Sequence, residues 1–250
     1  MKVLLLDIET MAELIWAWEL YDTSAIEVER HGHLLCFAWK WLDEKKIHVL
    51  GQDDFRGYEP FSDNDKALCK ELFSLLNEAD CVIGHNARAF DCKKVNYRFI
   101  VNNIPPPSEY KIIDTKTEVK KIAKFASHKL DSIGAETKIG RKLEHEGWPL
   151  WKRCYQGNKQ AWSKMKAYNK QDIKLLEDWY LKLRPWIKNH PNISNYNESS
   201  CCPTCGSREL QKRGFRFTKT QKYQQLACKK CFSWSYVSLD TKRGFKPIKN

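Results

Sequence analysis

The chain opens on an unbroken apolar run, Val3-Leu4-Leu5-Leu6, continued by Asp7-Ile8-Glu9. A short apolar run without alternation predicts a strand buried on both faces. His33 to Leu42 (HLLCFAWKWL) and Lys46 to Leu50 predict two more strands, joined at Asp43-Glu44-Lys45, and the three predict an antiparallel meander. The period then lengthens to that of a helix. Across Asp65 to Asn77, Leu68, Leu72, Leu75 and Leu76 share one stripe, which predicts an amphipathic helix. A strand over Asp80 to Ile83, a turn at Gly84 and a helix from Ala87 to Asn102 follow. Pro105-Pro106-Pro107 breaks the chain ahead of a strand over Tyr110 to Asp114. Residues 116–157 predict only short helices and loops. A long helix runs from Lys159 to Leu183, with Trp162, Met165, Leu175, Leu176 and Trp179 on its apolar stripe. The polar, turn-rich stretch from His190 reads as a linker. A meander followed by crossover strands and helices predicts an α/β fold with a mixed sheet.

Composition adds limits. The 250 residues are 42% hydrophobic and 12% aromatic, with ten Trp, enough for a core and too many for a disordered chain. No apolar run approaches the roughly 20 residues of a membrane span. The first six residues meet Asp7 and Glu9 at once, unlike a secretory signal, so a cytoplasmic protein without a membrane partner is expected. The length suits a medium domain at residues 1–190, a linker at 191–200 and a small domain at 201–250. Charge marks the same division. Of the formal net charge of +12, residues 199–250 carry +10, from 12 Lys and Arg against Glu209 and Asp240. Such a block suits a polyanionic partner, nucleic acid first, or else simply solubilises the chain. Cys36, Cys69, Cys81, Cys92 and Cys154 lack motif spacing and are expected as reduced thiols, while the other five cysteines fall between 201 and 231.

Acids stand out in three places. Asp7 and Glu9 are two apart on the first strand, so they share a face. Two buried carboxylates repel each other unless a cation pairs with them, or they sit at the strand's wet end. In Gly84-His85-Asn86-Ala87-Arg88-Ala89-Phe90-Asp91, Asp91 lies in the first turn of the next helix, where the helix dipole also favours an acid. In Tyr168-Asn169-Lys170-Gln171-Asp172, Tyr168 and Asp172 are helical neighbours on the apolar stripe, and a buried Asp172 needs a partner, a metal or an ordinary Lys or Arg. Jointly, four converging carboxylates match two Mg²⁺ or Mn²⁺ ions, the arrangement that clamps attacking and leaving oxygens in phosphoryl transfer. Other chemistries find no support: there is no Gly-x-Ser-x-Gly and no HExxH, and Gly134 to Lys142 has the wrong spacing for a phosphate loop.

LLDIET, GHNARAFD and YNKQD resemble, in order and spacing, the three motifs of the DEDD (DnaQ-like) superfamily of 3′–5′ exonucleases, which have the ribonuclease H-like fold. The resemblance covers residues 1–185. Tyr168 stands four residues before Asp172, and Ala167 occupies the place of the alternative His, so the chain resembles the Tyr (DEDDy) branch, and phage-encoded members of it. The resemblance implies a two-metal exonuclease that releases nucleoside monophosphates from single-stranded DNA or RNA with a free 3′ end. It implies that Asp7, Glu9, Asp91 and Asp172 hold the metals, one activating a water and the other stabilising the leaving oxygen. Tyr168 would orient that water, and Thr10, Asn86 and Phe90 would lie beside the terminal nucleotides.

In the tail, Cys202-Pro203-Thr204-Cys205-Gly206 and Cys228-Lys229-Lys230-Cys231 are two CxxC knuckles separated by 22 residues. That spacing predicts a zinc ribbon with one structural Zn²⁺ on Cys202, Cys205, Cys228 and Cys231, which a domain of about fifty residues needs for stability. Arg213, Arg216, Lys219 and Lys222 between the knuckles are expected to follow phosphates, with Phe232, Trp234 and Tyr236 alternating on one strand face. Zinc ribbons also bind proteins, so a replication or repair protein is the alternative partner. Two further readings stay open on the sequence: a non-catalytic nucleic-acid-binding adaptor, and a structure-selective endonuclease on the same fold.

Overall fold

A computed structural model of the chain describes residues 1–19, 21, 24–196, 200–239 and 246–247. β1 (Val3–Thr10) leads into a short hairpin, β2 (Leu14–Trp16) and β3 (Glu27–Arg30), then into β4 (Leu34–Trp41) and β5 (His48–Gly51). α1 (Lys66–Glu78), β6 (Cys81–Gly84), α2 (Asp91–Val101) and β7 (Lys111–Asp114) alternate after them. α3 (Thr115–Ile122), α4 (Leu130–Glu136) and α5 (Trp148–Tyr155) fill the stretch expected to hold short helices, and α6 spans Lys159–Leu183. The C-terminal strands are β8 (Leu210–Phe217), β9 (Lys222–Cys228), β10 (Trp234–Ser238) and β11 (Lys246–Pro247).

The main sheet has the order β5-β4-β1-β6-β7. β1, β4 and β5 pair antiparallel as the expected meander, and β6 and β7 join parallel, giving the predicted mixed sheet. β1 is central because both its faces are apolar, and Leu4 and Leu5 are wholly buried. Its pleat sorts the residues. Val3 and Leu5 join a core with Ile173, Leu176 and Tyr180 of α6. Leu4, Leu6 and Ile8 face α1 and α2, packing with Leu72, Val95 and Phe99. Asp7 and Glu9 continue the Val3–Leu5 face and so are aimed at α6. α6 has 25 residues, a length of about 37 Å. It begins at an Asn158 cap whose side-chain oxygen accepts from the Ala161 N–H at 2.9 Å. β1 and β6 pair only over Val3–Leu5 and Cys81–Ile83 and then part. That divergence leaves space at the C-terminal ends of the strands, where ligands enter open α/β sheets.

Three details depart from the sequence pattern. α2 begins at Asp91 rather than Ala87, and Gly84 is the last residue of β6 rather than a turn. Residues 85–90 form an irregular turn held by Asp114, which accepts backbone N–H bonds from Asn86 and Arg88. The β2–β3 hairpin was not signalled, because it buries neither face and so shows no periodicity. Phe232 does not share a strand with Trp234 and Tyr236. It lies in the second knuckle with a positive φ of 63°, before β10 begins.

The C-terminal residues form a second antiparallel sheet, ordered β11-β10-β9-β8. Within the expected linker, Ile193–Tyr196 make a 3₁₀ turn, and the Ile193 N–H donates to the Pro203 carbonyl at 2.7 Å. Linker residues 197–199, and Asp240, lie outside the described residues. Among the described residues, no helix is long and apolar enough to cross a membrane.

Candidate active site

Asp7, Glu9 and Asp172 meet near the C-terminal end of β1, with carboxylate oxygens of all three within 4.8 Å of one another. The first two arrive by strand alternation, the third from the buried stripe of α6. Asp91 stands outside that group. Its Oδ1 accepts the Ile8 N–H at 3.3 Å, across the gap where β1 leaves β6, and its charge still reaches Asp7. Burial pushes Asp7 well above the usual carboxylate range, and the charges of Asp91, Glu9 and Asp172 push it further. Glu9 is pushed up to about 8, by burial first and Asp172 next. Burial lifts Asp91 to about 6, against the backbone hydrogen bonds it accepts. Asp172 is also raised by burial, despite the pull of Lys142.

Tyr168, one helical turn before Asp172, is buried and hydrogen-bonds Asp172. Burial, then the Asp172 charge, raises its pKa, so it stays a protonated phenol. Lys142 Nζ donates to the Tyr168 hydroxyl at 3.0 Å and to Asp172 Oδ2 at 2.6 Å. Burial works against the lysine's charge, but Asp172, Tyr168 and Asp7 hold it protonated. The Lys142 backbone is anchored in turn, donating to Asp131 Oδ1 of α4 at 2.9 Å. Asn169, fully buried, donates from Nδ2 to Asp7 Oδ2 at 2.6 Å. Trp151 of α5 hydrogen-bonds Glu9, and His145 packs edge-on against Tyr168 with ring centroids 4.7 Å apart.

Lys142, His145, Trp151 and Asn169 escaped the sequence analysis. Asn169 left one signal, an amide on the buried stripe beside Tyr168. The other three come from a stretch without periodicity and reach the site only through tertiary packing. The ion pair considered for Asp172 does form, with Lys142, but it leaves the recess short of positive charge. Three carboxylates share one lysine, and the buried Asp172 Oδ1 has no hydrogen-bond partner. An all-oxygen, multiply charged donor set of this kind fits Mg²⁺ or Mn²⁺.

The remaining predicted contacts lie close to the acids along the chain or in the C-terminal sheet. Thr10 ends β1 next to Glu9. Asn86 adopts a positive φ of 72°, which Asn tolerates, and its Oδ1 accepts from Lys116 Nζ at 3.1 Å. Phe90 is exposed just before Asp91. His85 is fixed behind them, bonded to Thr115 Oγ1 at 2.9 Å and donating to the His128 carbonyl at 2.8 Å, and burial lowers it to about 4. In the ribbon, the Sγ atoms of Cys202, Cys205, Cys228 and Cys231 all lie within 4.8 Å of one another. Cys202 to Cys231 is 3.6 Å and Cys205 to Cys228 is 3.7 Å. Those distances exceed a disulfide's and approach the edge, about 3.8 Å, of a tetrahedron with Zn–S bonds of about 2.3 Å. The donor set therefore fits Zn²⁺. Arg216 lies over the Tyr236 ring at 5.2 Å and Lys222 over Phe215 at 3.9 Å, while Arg213 and Lys219 are exposed.

Residues 21–184 match the RNase_H_2 family of the RNase H superfamily, a span that holds Asp91, Tyr168 and Asp172 and begins after Asp7 and Glu9. No curated protein sequence matches the chain. Among solved structures, the family B DNA polymerase from the hyperthermophilic archaeon Pyrobaculum calidifontis is similar, with a TM-score of 0.53 at 13% identity. That similarity covers 89% of this chain and 31% of the polymerase chain. At such low identity what is shared is the fold. The family match spans most of the chain, from the hairpin through α6, and with it the chain belongs to the RNase H superfamily.

Proposed function

We propose that the chain is a Mg²⁺- or Mn²⁺-dependent 3′–5′ exonuclease of the DEDDy type. In this reading it hydrolyses single-stranded DNA or RNA to nucleoside monophosphates, and the C-terminal ribbon holds the strand. The observation that carries the reading is the convergence of Asp7, Glu9 and Asp172 within 4.8 Å, beside a phenol bonded to Asp172. Divalent ions held there by Asp7, Glu9 and Asp172 would supply an activated water and charge stabilisation for the leaving 3′ oxygen. The protein's own groups do the rest. Asn169 fixes the Asp7 carboxylate, and Trp151 fixes Glu9. Tyr168 is too weak an acid to act as a base near neutral pH, so its part is to orient the nucleophilic water by hydrogen bonding. Lys142 holds that phenol in place and offsets one acid. In this reading Thr10, next to Glu9, and Asn86 and Phe90, on the turn that leads into Asp91, would contact the terminal nucleotides.

The test is a nuclease assay on matched 3′- and 5′-labelled DNA and RNA oligonucleotides, with a circular single strand alongside. Stepwise shortening from the 3′ end with the circle left intact supports the reading. Cleavage of the circle would point to an endonuclease, and binding without cleavage to an adaptor.

A further inference from the structure

A groove of about 320 Å³ lies where the chain leaves β1, between the turn after that strand and α5. One wall is the turn after β1, starting at Met11, together with Arg30 at the end of β3. The other wall is α5, whose Trp148, Lys152 and Tyr155 fall on one helical face. The same helix presents Trp151 to Glu9, so α5 is common to groove and recess. Glu9 and Met11 are two residues apart, about 7 Å along an extended chain. The groove thus begins one nucleotide's reach from the acids.

Phe61 also lines the groove, and its backbone is unusual. It has a φ of 63°, a region that bulky side chains avoid. Three hydrogen bonds impose that conformation. Its N–H donates to the Tyr155 carbonyl at 2.7 Å, and its carbonyl accepts from the Tyr155 hydroxyl at 2.7 Å and from Arg30 Nη1 at 3.0 Å. The result is a half-exposed Phe61 ring set edge-on to Tyr155, whose face is covered by the Arg30 guanidinium at 5.2 Å. Trp148 also lines the groove and is 50% exposed. Strain held against solvent in this way points to a binding role rather than to packing. Volume, aromatic lining and a few fixed polar groups are those of a small planar ligand's site. Two cations against the single carboxylate of Glu13 suit a phosphate-bearing one.

We propose that this groove takes one nucleobase of the substrate strand, stacked between Trp148 and Phe61, with Lys152 and Arg30 at its phosphate. The proposal rests on the exonuclease reading for the identity of its ligand, a nucleotide of the strand near the scissile bond.

A coupling experiment tests it. Full-length, zinc-loaded protein is titrated into fluorescein-labelled single strands in Ca²⁺, with an abasic site moved along the last few 3′ nucleotides, and anisotropy gives Kd. In the wild type, one abasic position should weaken binding by about tenfold, the loss expected for one stacked base. Trp148→Ala should weaken the intact strand by a similar factor and make that one abasic position cost nothing more. Phe61→Leu, which keeps an apolar side chain, provides a second cycle should Trp148→Ala disturb the fold, as a melting curve would reveal. Lys152→Ala should lower the slope of log K against log salt by about 0.7 and leave the abasic profile unchanged. Abasic penalties that simply add to those of Trp148→Ala and Phe61→Leu at every position would overturn the proposal. The two readings fail separately. Coupled binding without cleavage in Mg²⁺ keeps the groove and sinks the exonuclease, and 3′ cleavage without coupling does the reverse.

Discussion

Asp7 is the side chain on which most of the site converges: Glu9 and Asp172 crowd it, Asp91 raises its pKa, and Asn169 grips it at 2.6 Å. Asp7→Asn should abolish cleavage while leaving the melting temperature near or above that of the wild type, since it removes a repelled charge from the recess. A variant that kept more than a few percent of activity would remove Asp7 from the metal site. Tyr168→Phe should be milder, losing roughly 10²-fold in kcat, because one hydrogen bond to the water disappears and no metal ligand does. If Tyr168→Phe matched the wild type while Asp172→Asn was dead, Tyr168 would only be packing. Acidity offers a third check at this scale. Without divalent ions, Glu9 in the folded chain titrates at about 8 against the ordinary 4.5. A folded-state pKa above the unfolded one means that the protonated acid stabilises the fold. That stability is whole below the ordinary value and is lost as the pH climbs through about 8. His85, lowered from 6.5 to about 4, works the other way, but its contribution is already complete above pH 6.5. Between those limits the metal-free melting temperature should therefore fall as the pH rises. If Mg²⁺ binds the ionised acids, as proposed, it should remove the fall. Identical pH profiles with and without Mg²⁺ would contradict a cation site.

At the scale of elements, the turn that carries Asn86 and leads into Asp91 leaves β6 at Gly84, a position with no room for a side chain. A Cβ at Gly84 would lie 2.6 Å from the Ala87 Cβ and 3.4 Å from the Leu6 carbonyl oxygen. Gly84→Ala should cost about 1–3 kcal/mol by overpacking and tilt the turn that carries Asn86 and Asp91. Wild-type denaturation midpoint and activity together would show that the turn has slack. The same elements explain what could be read in advance. β1 and α6 were legible because each buries a long apolar surface, so Asp7, Glu9 and Asp172 stood out as acids on faces that should hold none. The start of α2 was not, because Asp114 holds residues 86–88 off the helix through bonds made 26 and 28 positions away in sequence. Lys142 and Trp151 were not legible either. A lysine in a loop and a tryptophan on a short helix look like surface and core until packing brings them to Tyr168 and Glu9. The exposed β2–β3 hairpin buries nothing, and hydrophobic periodicity detects only burial.

For the whole molecule, charge and chemistry are divided. Nearly all the excess positive charge lies after residue 198, and all the clustered acids lie before it. The double substitution Cys202→Ser/Cys205→Ser should unfold the ribbon by removing its zinc ligands. If Arg213, Arg216, Lys219 and Lys222 each meet a phosphate, losing them should flatten log K against log salt by about three units on a single strand. The defect should appear in KM with kcat little changed, since remote uniform binding does not favour the transition state. Loss of kcat at saturating substrate, with the main sheet still folded, would make the ribbon part of the active site. The most direct test of the central claim is denaturing electrophoresis of a 5′-labelled single strand incubated with the full chain in Mg²⁺, beside Asp7→Asn and a reaction in excess EDTA. The exonuclease account predicts a ladder shortening one nucleotide at a time from the 3′ end in the first lane and intact strand in the other two. Full-length strand in all three lanes, or the same ladder in EDTA or with Asp7→Asn, would contradict it.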